Sequence, residues 1–246
     1  MPTCLVVQHA APESAFSIAD ALAAAHVELD VRKVFAGDPV PDRSDGFDGL
    51  VVMGGPMSAN SDEGFPSRKA ELALLADAVE RAVPTIGVCL GAQLLALATG
   101  GAVHRGETGA EIGWGPVNLE PACKGDPLFD GVPASLTVMH WHGETYDMPA
   151  GAEHLLSNGR YANQGFRTGP AAWGVQFHLE VTEAAVDGLL DAFPQDAEEA
   201  DGGATAIRSA SPDVLAELAP WSGVVFTRFA TLVLERSQQT DLVDLR

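Results

Sequence analysis

Apolar residues follow two different rhythms along this chain. Through the first hundred residues, short apolar runs alternate with longer stretches of helical spacing. TCLVVQHA (3–10) stops in a polar loop, and ESAFSIADALAAAHV (13–27) follows with Phe16, Ile18, Ala19, Leu22, Ala23 and Ala25 at near-helical intervals, which predicts a strand and then a helix. VELDVRKVFA alternates as a strand would, and GLVVMGG (49–55) is a short apolar run closed by glycines, the pattern of a strand buried on both faces. RKAELALLADAVERA predicts a helix that Pro84 stops, and TIGVCL begins the next strand. From 102 to 180 the rhythm changes to AVHRGE, EIGWGPVNLE, SLTVMHWHGE, EHLLSNG and AAWGVQFHLE, punctuated by Asn158-Gly159, Gly165 and Gly169. These runs predict an antiparallel excursion that rejoins the sheet at AAWGVQFHLE. TEAAVDGLLDAF returns to helical spacing and PQDAEEADGGAT reads as an acidic loop. SPDVLAELAPW opens with a capping signal at Ser211, Pro212 and Asp213, ahead of a last helix near GVVFTRFATLVLERS.

Strands alternating with helices predict an α/β fold with a parallel sheet covered on both faces, and ligands in such sheets bind at the carboxyl ends of the strands. Gly54-Gly55-Pro56 and Cys89 both fall at that edge. The expected organisation is one catalytic domain over residues 1–193, with a C-terminal helical extension, 194–246, packed on it. Phe226, Phe229, Leu232 and Leu234 of the last helix read as core-facing positions, with a homodimer or partner surface as the alternative.

Composition narrows the function classes. The apolar fraction of 46% with 20% charged residues is ordinary globular usage. No apolar run reaches the roughly 18 residues of a membrane-spanning helix, and the N-terminus lacks the order of a signal peptide. A soluble, cytoplasmic protein is expected. Thirty-four acidic against fourteen basic residues give a net charge of −20, which repels phosphate backbones and anionic lipid, so neither nucleic acid nor a membrane is expected as a partner. The three cysteines, Cys4, Cys89 and Cys123, include no closely spaced pair, which argues against a disulfide framework or a cysteine zinc site.

The candidate chemistry begins at GVCLGAQ (87–93). Glycines two residues before and two after Cys89 relieve the crowding of a tight strand-to-helix turn, as in the G-x-S-x-G elbow. Such a turn projects the sulfur and sets it at a helix N-terminus, where amide N–H groups and the helix dipole favour thiolate. The competing reading is a buried strand cysteine. A thiolate needs a proton shuttle oriented by a third group. In AAWGVQFHLE, His178 and Glu180 are i and i+2 on an expected strand, so their side chains leave the same face as neighbours. Other residues invite plainer readings: Cys4 packs in the first strand, Cys123 sits in a loop, and His9 ends the first strand without an evident role.

GVCLGAQ followed by GVQFHLE resembles the triad, or class I, family of glutamine amidotransferases, and GGPM (54–57) is similar to that family's oxyanion strand. Within the family the likeness is to stand-alone proteins similar to the amidotransferase domain of GMP synthase, and MHWHGETYDMP (139–149) contributes to it. The resemblance implies a flavodoxin-like three-layer sandwich, mostly parallel in its central sheet. It implies Cys89 as nucleophile, His178 as general acid and base, Glu180 as its orienter, and the backbone N–H groups of Gly55 and Leu90 as the oxyanion hole. Gln93 is implied as a substrate-positioning residue, and Gly143 with its neighbours Trp141 and His142 as a substrate loop. The reaction implied is hydrolysis of the glutamine γ-amide through a γ-glutamyl thioester, releasing glutamate and ammonia with no metal and no organic cofactor. A leucine, Leu179, stands where the family commonly has proline. The residues after Glu180 read as helices, so an ammonia-accepting synthetase would be a separate subunit. Three alternatives stay open: a γ-glutamyl hydrolase with the same triad and a different leaving group, a metal hydrolase using His140 and His142 with His178 or Glu180, and a non-catalytic partner-binding subunit.

Overall fold

A computed structural model describes residues 1–244, with side chains through Gln239. Its main sheet has nine strands in the order β2-β1-β3-β4-β11-β10-β9-β6-β7, and a separate ribbon pairs β5 with β8. The first five positions of that order, β2 (Glu28–Lys33), β1 (Thr3–Gln8), β3 (Gly49–Val52), β4 (Thr85–Val88) and β11 (Ala172–Val175), pair in parallel. The remaining four, β10 (Gly165–Thr168), β9 (Glu153–Ser157), β6 (Glu111–Leu119) and β7 (Ser135–His142), pair antiparallel. The excursion thus leaves the sheet after β4 and returns beside it as β11, as its rhythm predicts.

The parallel strands read as continuous apolar runs because both their faces are covered. Along β1, Cys4 and Val6 point to one core cluster and Leu5 and Val7 to the other; Val51 and Leu50 divide in the same way on β3. One face is packed by α1 (Phe16–Ala24), α4 (Glu183–Ala192) and α6 (Gly203–Asp244), the other by α2 (Arg68–Glu80) and α3 (Leu90–Ala98). The result is a flavodoxin-like α/β sandwich.

The C-terminal region departs from its sequence pattern. Pro194 opens a short helix, α5 (Pro194–Ala197), inside the expected loop, and α6 then runs for 42 residues through both Pro212 and Pro220. Ser211 is therefore no cap. Its Oγ donates back to the Ile207 carbonyl at 2.7 Å and accepts from Trp114 Nε1 at 3.1 Å. A proline inside a helix removes one hydrogen bond and kinks it, but Ile207, Leu218, Phe226, Phe229 and Val233 are all buried on the core, and that packing outweighs the local signals. Phe226 and Phe229 are core-facing, as read from the sequence; Leu232 and Leu234 are partly buried against the same cluster. Among the described residues no helix is long and apolar enough to cross a membrane.

Candidate active site

Cys89 follows β4 directly and caps α3, with φ of 51° and ψ of −105°. Positive φ is strained for a side chain larger than glycine and persists only where the surroundings hold it. Here they do. Cys89 N–H donates to the Val175 carbonyl at 2.8 Å, and its own carbonyl accepts from Gln93 N–H at 3.1 Å. The flanking glycines are required by contact: a Cβ on Gly91 would lie 2.0 Å from the Val52 carbonyl oxygen, and one on Gly87 2.5 Å from the Gly91 backbone. The small neighbours therefore let the elbow helix press onto β3 and β4. Cys89 Sγ lies 3.5 Å from the Trp141 carbonyl and 3.8 Å from Gln176 Nε2. The other two thiols are protonated by their surroundings: burial, the larger cause, raises Cys4 well above the ordinary thiol range and Cys123 to about 12.

His178 and Glu180 are brought together as expected, with Nδ1 to Oε1 at 2.7 Å and both side chains 2% exposed. The expected strand is shorter than the pattern suggests. β11 ends at Val175, and His178 is held by one isolated bridge in which its N–H donates to the Met139 carbonyl at 2.8 Å. The i, i+2 relation survives because this bridge keeps the segment extended. Burial disfavours the charged imidazole, yet the Glu180 carboxylate and the Cys89 thiol together hold the His178 pKa well above its usual value. The Glu180 carbonyl is itself fixed by Ser17, whose N–H and Oγ donate to it at 3.3 and 3.0 Å.

Gly54 and Gly55 follow β3 and fill a narrow gap. A Cβ on Gly54 would come within 2.0 Å of Glu13 Oε2 and 3.1 Å of His178 Cε1; one on Gly55 would meet His9 Cβ at 2.6 Å and Leu90 Cδ2 at 3.0 Å. Gly55 and Leu90 are thus neighbours beside the triad. His9, which shows no role in the sequence, braces this corner: Nδ1 donates toward the Met53 and Gly54 carbonyls, both at 3.1 Å, and Nε2 pairs with Glu71 at 2.7 Å, both side chains fully buried.

A cavity of about 370 Å³ opens from Cys89. Of the residues the sequence points to, Gly55, Cys89, Gln93, Trp141, His142 and Gly143 line it. Gln93 Nε2 donates to the Glu144 carbonyl at 3.1 Å. His140 and His142 do not join His178 or Glu180. They gather instead on Glu111, with His142 Nε2 3.0 Å and His140 Nδ1 3.4 Å from the same oxygen. Burial, only partly countered by Glu111, pushes His140 down to about 4, so its imidazole is neutral.

The model of the family described as "Glutamine amidotransferase class-I" matches residues 13–190. The chain belongs to the class-I glutamine amidotransferases. It is 36% identical over 174 residues to the glutamine amidotransferase-like protein YfeJ of Salmonella typhimurium, covering 69% of this chain and 72% of that one. It is 29% identical over 151 residues to a glutamine-hydrolysing GMP synthase of Porphyromonas gingivalis, covering 61% of this chain but only 28% of the synthase. A solved glutamine amidotransferase from Methylobacillus flagellatus superposes with a TM-score of 0.86 at 33% identity, over 94% of this chain and 95% of that one.

In this class-I amidotransferase several cavity residues carry no signal in the sequence. Glu13 lies on the loop after β1, and Arg105 ends β5 (Ala102–Arg105). Phe193, Asp196 and Glu199 belong to the stretch read as an acidic loop, and Trp141 Nε1 donates to Asp196 at 3.3 Å. Each reaches the cavity only through tertiary packing, which no local motif reports.

Proposed function

We propose that this amidotransferase hydrolyses γ-glutamyl amides, with glutamine the first substrate, through a covalent thioester on Cys89. The observation that carries the reading is the conjunction of a strained cysteine on a strand-to-helix elbow with a buried His178–Glu180 pair at 2.7 Å beside it. The Cys89 thiolate attacks the γ-carbonyl, and the backbone N–H groups of Gly55 and Leu90 receive the oxyanion. One such donor is typically worth about 2.7–4 kcal/mol of barrier. His178, held protonated by Glu180, gives its proton to the departing nitrogen. It then takes a proton from the water that attacks the thioester, and glutamate leaves through a second oxyanion. Gln93 and the 141–143 loop position the substrate.

The leaving group is the open variable. The cavity is lined by four carboxylates, Glu13, Glu144, Asp196 and Glu199, against one arginine, Arg105. That charge pattern favours a substrate whose carboxylate meets Arg105 and whose remaining groups are cationic, so γ-glutamyl amines form a second reading alongside glutamine. An ammonia-accepting synthetase would be a separate subunit, as the much greater length of the GMP synthase relative suggests.

The test is a glutamate-release assay with glutamine and a panel of γ-glutamyl amines, run beside labelling with an electrophilic glutamine analogue. One adduct on Cys89 and release from at least one member of the panel are expected. Labelling confined to Cys4 or Cys123 would remove the nucleophile assignment, and a substrate ranking led by bulky amines would move the activity from amidotransferase to γ-glutamyl hydrolase.

A further inference from the structure

Six buried polar side-chain atoms lack a hydrogen-bond partner among the described residues: Nδ1 and Nε2 of His140, the Tyr146 hydroxyl, Gln164 Oε1, His178 Nε2 and Glu180 Oε2. The last two belong to the triad, where a free imidazole nitrogen is what proton transfer uses. Three of the other four belong to residues gathered on Glu111. Buried polar atoms are paired in the great majority of cases, so a cluster of unpaired ones asks for an explanation.

Glu111 opens β6 opposite His142 in register, and Gly113 stands opposite His140. Because His140 and His142 are two apart on one strand, both imidazoles leave the same face. They converge on a single oxygen, Glu111 Oε2, at 3.4 and 3.0 Å. Gln164 Nε2 also donates to that oxygen at 2.7 Å, while Asn158 Nδ2 donates to Oε1 at 2.7 Å. His142 Nδ1 lies 3.0 Å from the Glu144 carbonyl. A neutral imidazole has one N–H; if the carbonyl takes it, Nε2 turns a lone pair toward a carboxylate oxygen. The contrast with His9 is instructive. There one imidazole meets one carboxylate oxygen at 2.7 Å and the pair is complete. At Glu111 two rings share an oxygen that already accepts a hydrogen bond.

We propose that Glu111, His140 and His142 bind a divalent transition-metal ion, zinc in the first instance, fastening β6 and β7 behind the wall of the cavity. Zinc bonds to imidazole nitrogen and carboxylate oxygen are about 2.0–2.2 Å, which at tetrahedral angles sets ligand atoms roughly 3.3–3.6 Å apart. The measured 3.0 and 3.4 Å approach that edge, and the three ligand atoms lie within 4.8 Å of one another. Two imidazoles and one carboxylate are a donor set that zinc accepts with a fourth position open. The Glu144 carbonyl on His142, and Asn158 and Gln164 on Glu111, are then the outer partners that orient metal ligands. The ion would hold His142 at the head of the loop that lines the cavity. It does not enter the chemistry at Cys89, and the inference stands whether or not the proposed reaction does.

The test uses full-length protein treated with chelator, desalted, and titrated with ZnCl2 by calorimetry, with Co2+ as an optical probe. One ion per chain is expected, with a rise in thermal midpoint. His140→Ala should weaken binding at least about 10-fold with an unchanged far-ultraviolet spectrum, and Cys89→Ala should bind as the native protein does. Absence of stoichiometric uptake by the folded native protein would overturn the site, as would binding that survives His140→Ala but is lost in Cys89→Ala. Should His140→Ala not fold, Glu111→Gln and the Co2+ spectrum of the native protein decide. A thiolate-to-cobalt charge-transfer band would place the ion on a cysteine and end the proposal.

Discussion

The cavity is built by two halves of one sheet that reach it by different means. The parallel half supplies the reacting end: Cys89 follows β4, Gly54 and Gly55 follow β3, and His178 and Glu180 follow β11. Every one of these sits at the carboxyl end of a strand, where backbone N–H groups and side chains converge without needing a partner element. The antiparallel half and the C-terminal helices supply the walls, through Arg105, Trp141, His142, Gly143, Glu144, Phe193, Asp196 and Glu199. The first set is rigid and strained, with a positive φ at Cys89 and glycines that no other residue could replace. The second set is polar and acidic. If this division is real, substitutions in the parallel half should act on kcat and those in the walls on KM.

Cys89→Ala gives the largest expected effect. Removing the nucleophile should lower glutamate release by at least about 10⁴-fold, because triad members act as a unit and the residual rate reflects the oxyanion hole and binding alone. Circular dichroism should be unchanged. Retention of more than a hundredth of the activity would dissolve the comparison, since the reacting end would then lie elsewhere.

Glu180→Gln comes next, with a loss of roughly 10²–10⁴ in kcat, the scale seen when an orienting carboxylate becomes an amide. It carries a second, independent readout. The native structure holds His178 above its usual pKa, so the folded state binds the proton more tightly than the unfolded chain. The stability this contributes is complete below the ordinary histidine pKa of about 6.5 and is lost as pH rises through the raised value. Urea midpoints measured upward from about pH 6 should therefore fall with pH in the native protein more steeply than in Glu180→Gln. Parallel curves would show that Glu180 does not hold the imidazolium.

These two residues also mark how far the sequence could be read. The elbow and the His178–Glu180 pair are short-range patterns, one a turn and the other an i, i+2 relation, and both survive in three dimensions even though β11 ends before His178. Glu13, His9 and Asp196 were not legible. Their partners Gly54, Glu71 and Trp141 lie far away in sequence, so only the packed sheet brings them together. The prolines of α6 misled in the opposite direction: Pro212 and Pro220 are genuine local breakers, overruled by apolar burial along a 42-residue helix.

Gly54→Ala tests the boundary between the halves. Its Cβ would stand 2.0 Å from Glu13 Oε2 and 3.1 Å from His178 Cε1, so the carboxylate or the catalytic ring must move. Overpacking of this kind costs about 1–3 kcal/mol of stability, and displacement of a catalytic group by about 1 Å costs up to roughly 10²-fold in rate. A lowered urea midpoint together with a fall in kcat is expected. A stable variant with native kcat would mean that Glu13 swings away freely and takes no part in holding the reacting end.

Arg105→Gln should give the smallest effect and the sharpest test of the walls. Arg105 ends β5, is solvent-exposed, and is the one arginine among the cavity's lining residues, facing four carboxylates across it. A substrate carboxylate bound there is far from the breaking bond, so its attraction is the same in ground state and transition state. Loss of such uniform binding raises KM and leaves kcat alone. A partly solvated charge-assisted hydrogen bond is worth about 1.5 kcal/mol, which is roughly a 10-fold rise in KM for glutamine. The rise should shrink with added salt, because exposed charges are screened. If kcat falls instead while KM stays fixed, Arg105 belongs to the reacting end, and the assignment of binding to the walls and chemistry to the parallel half fails at that residue.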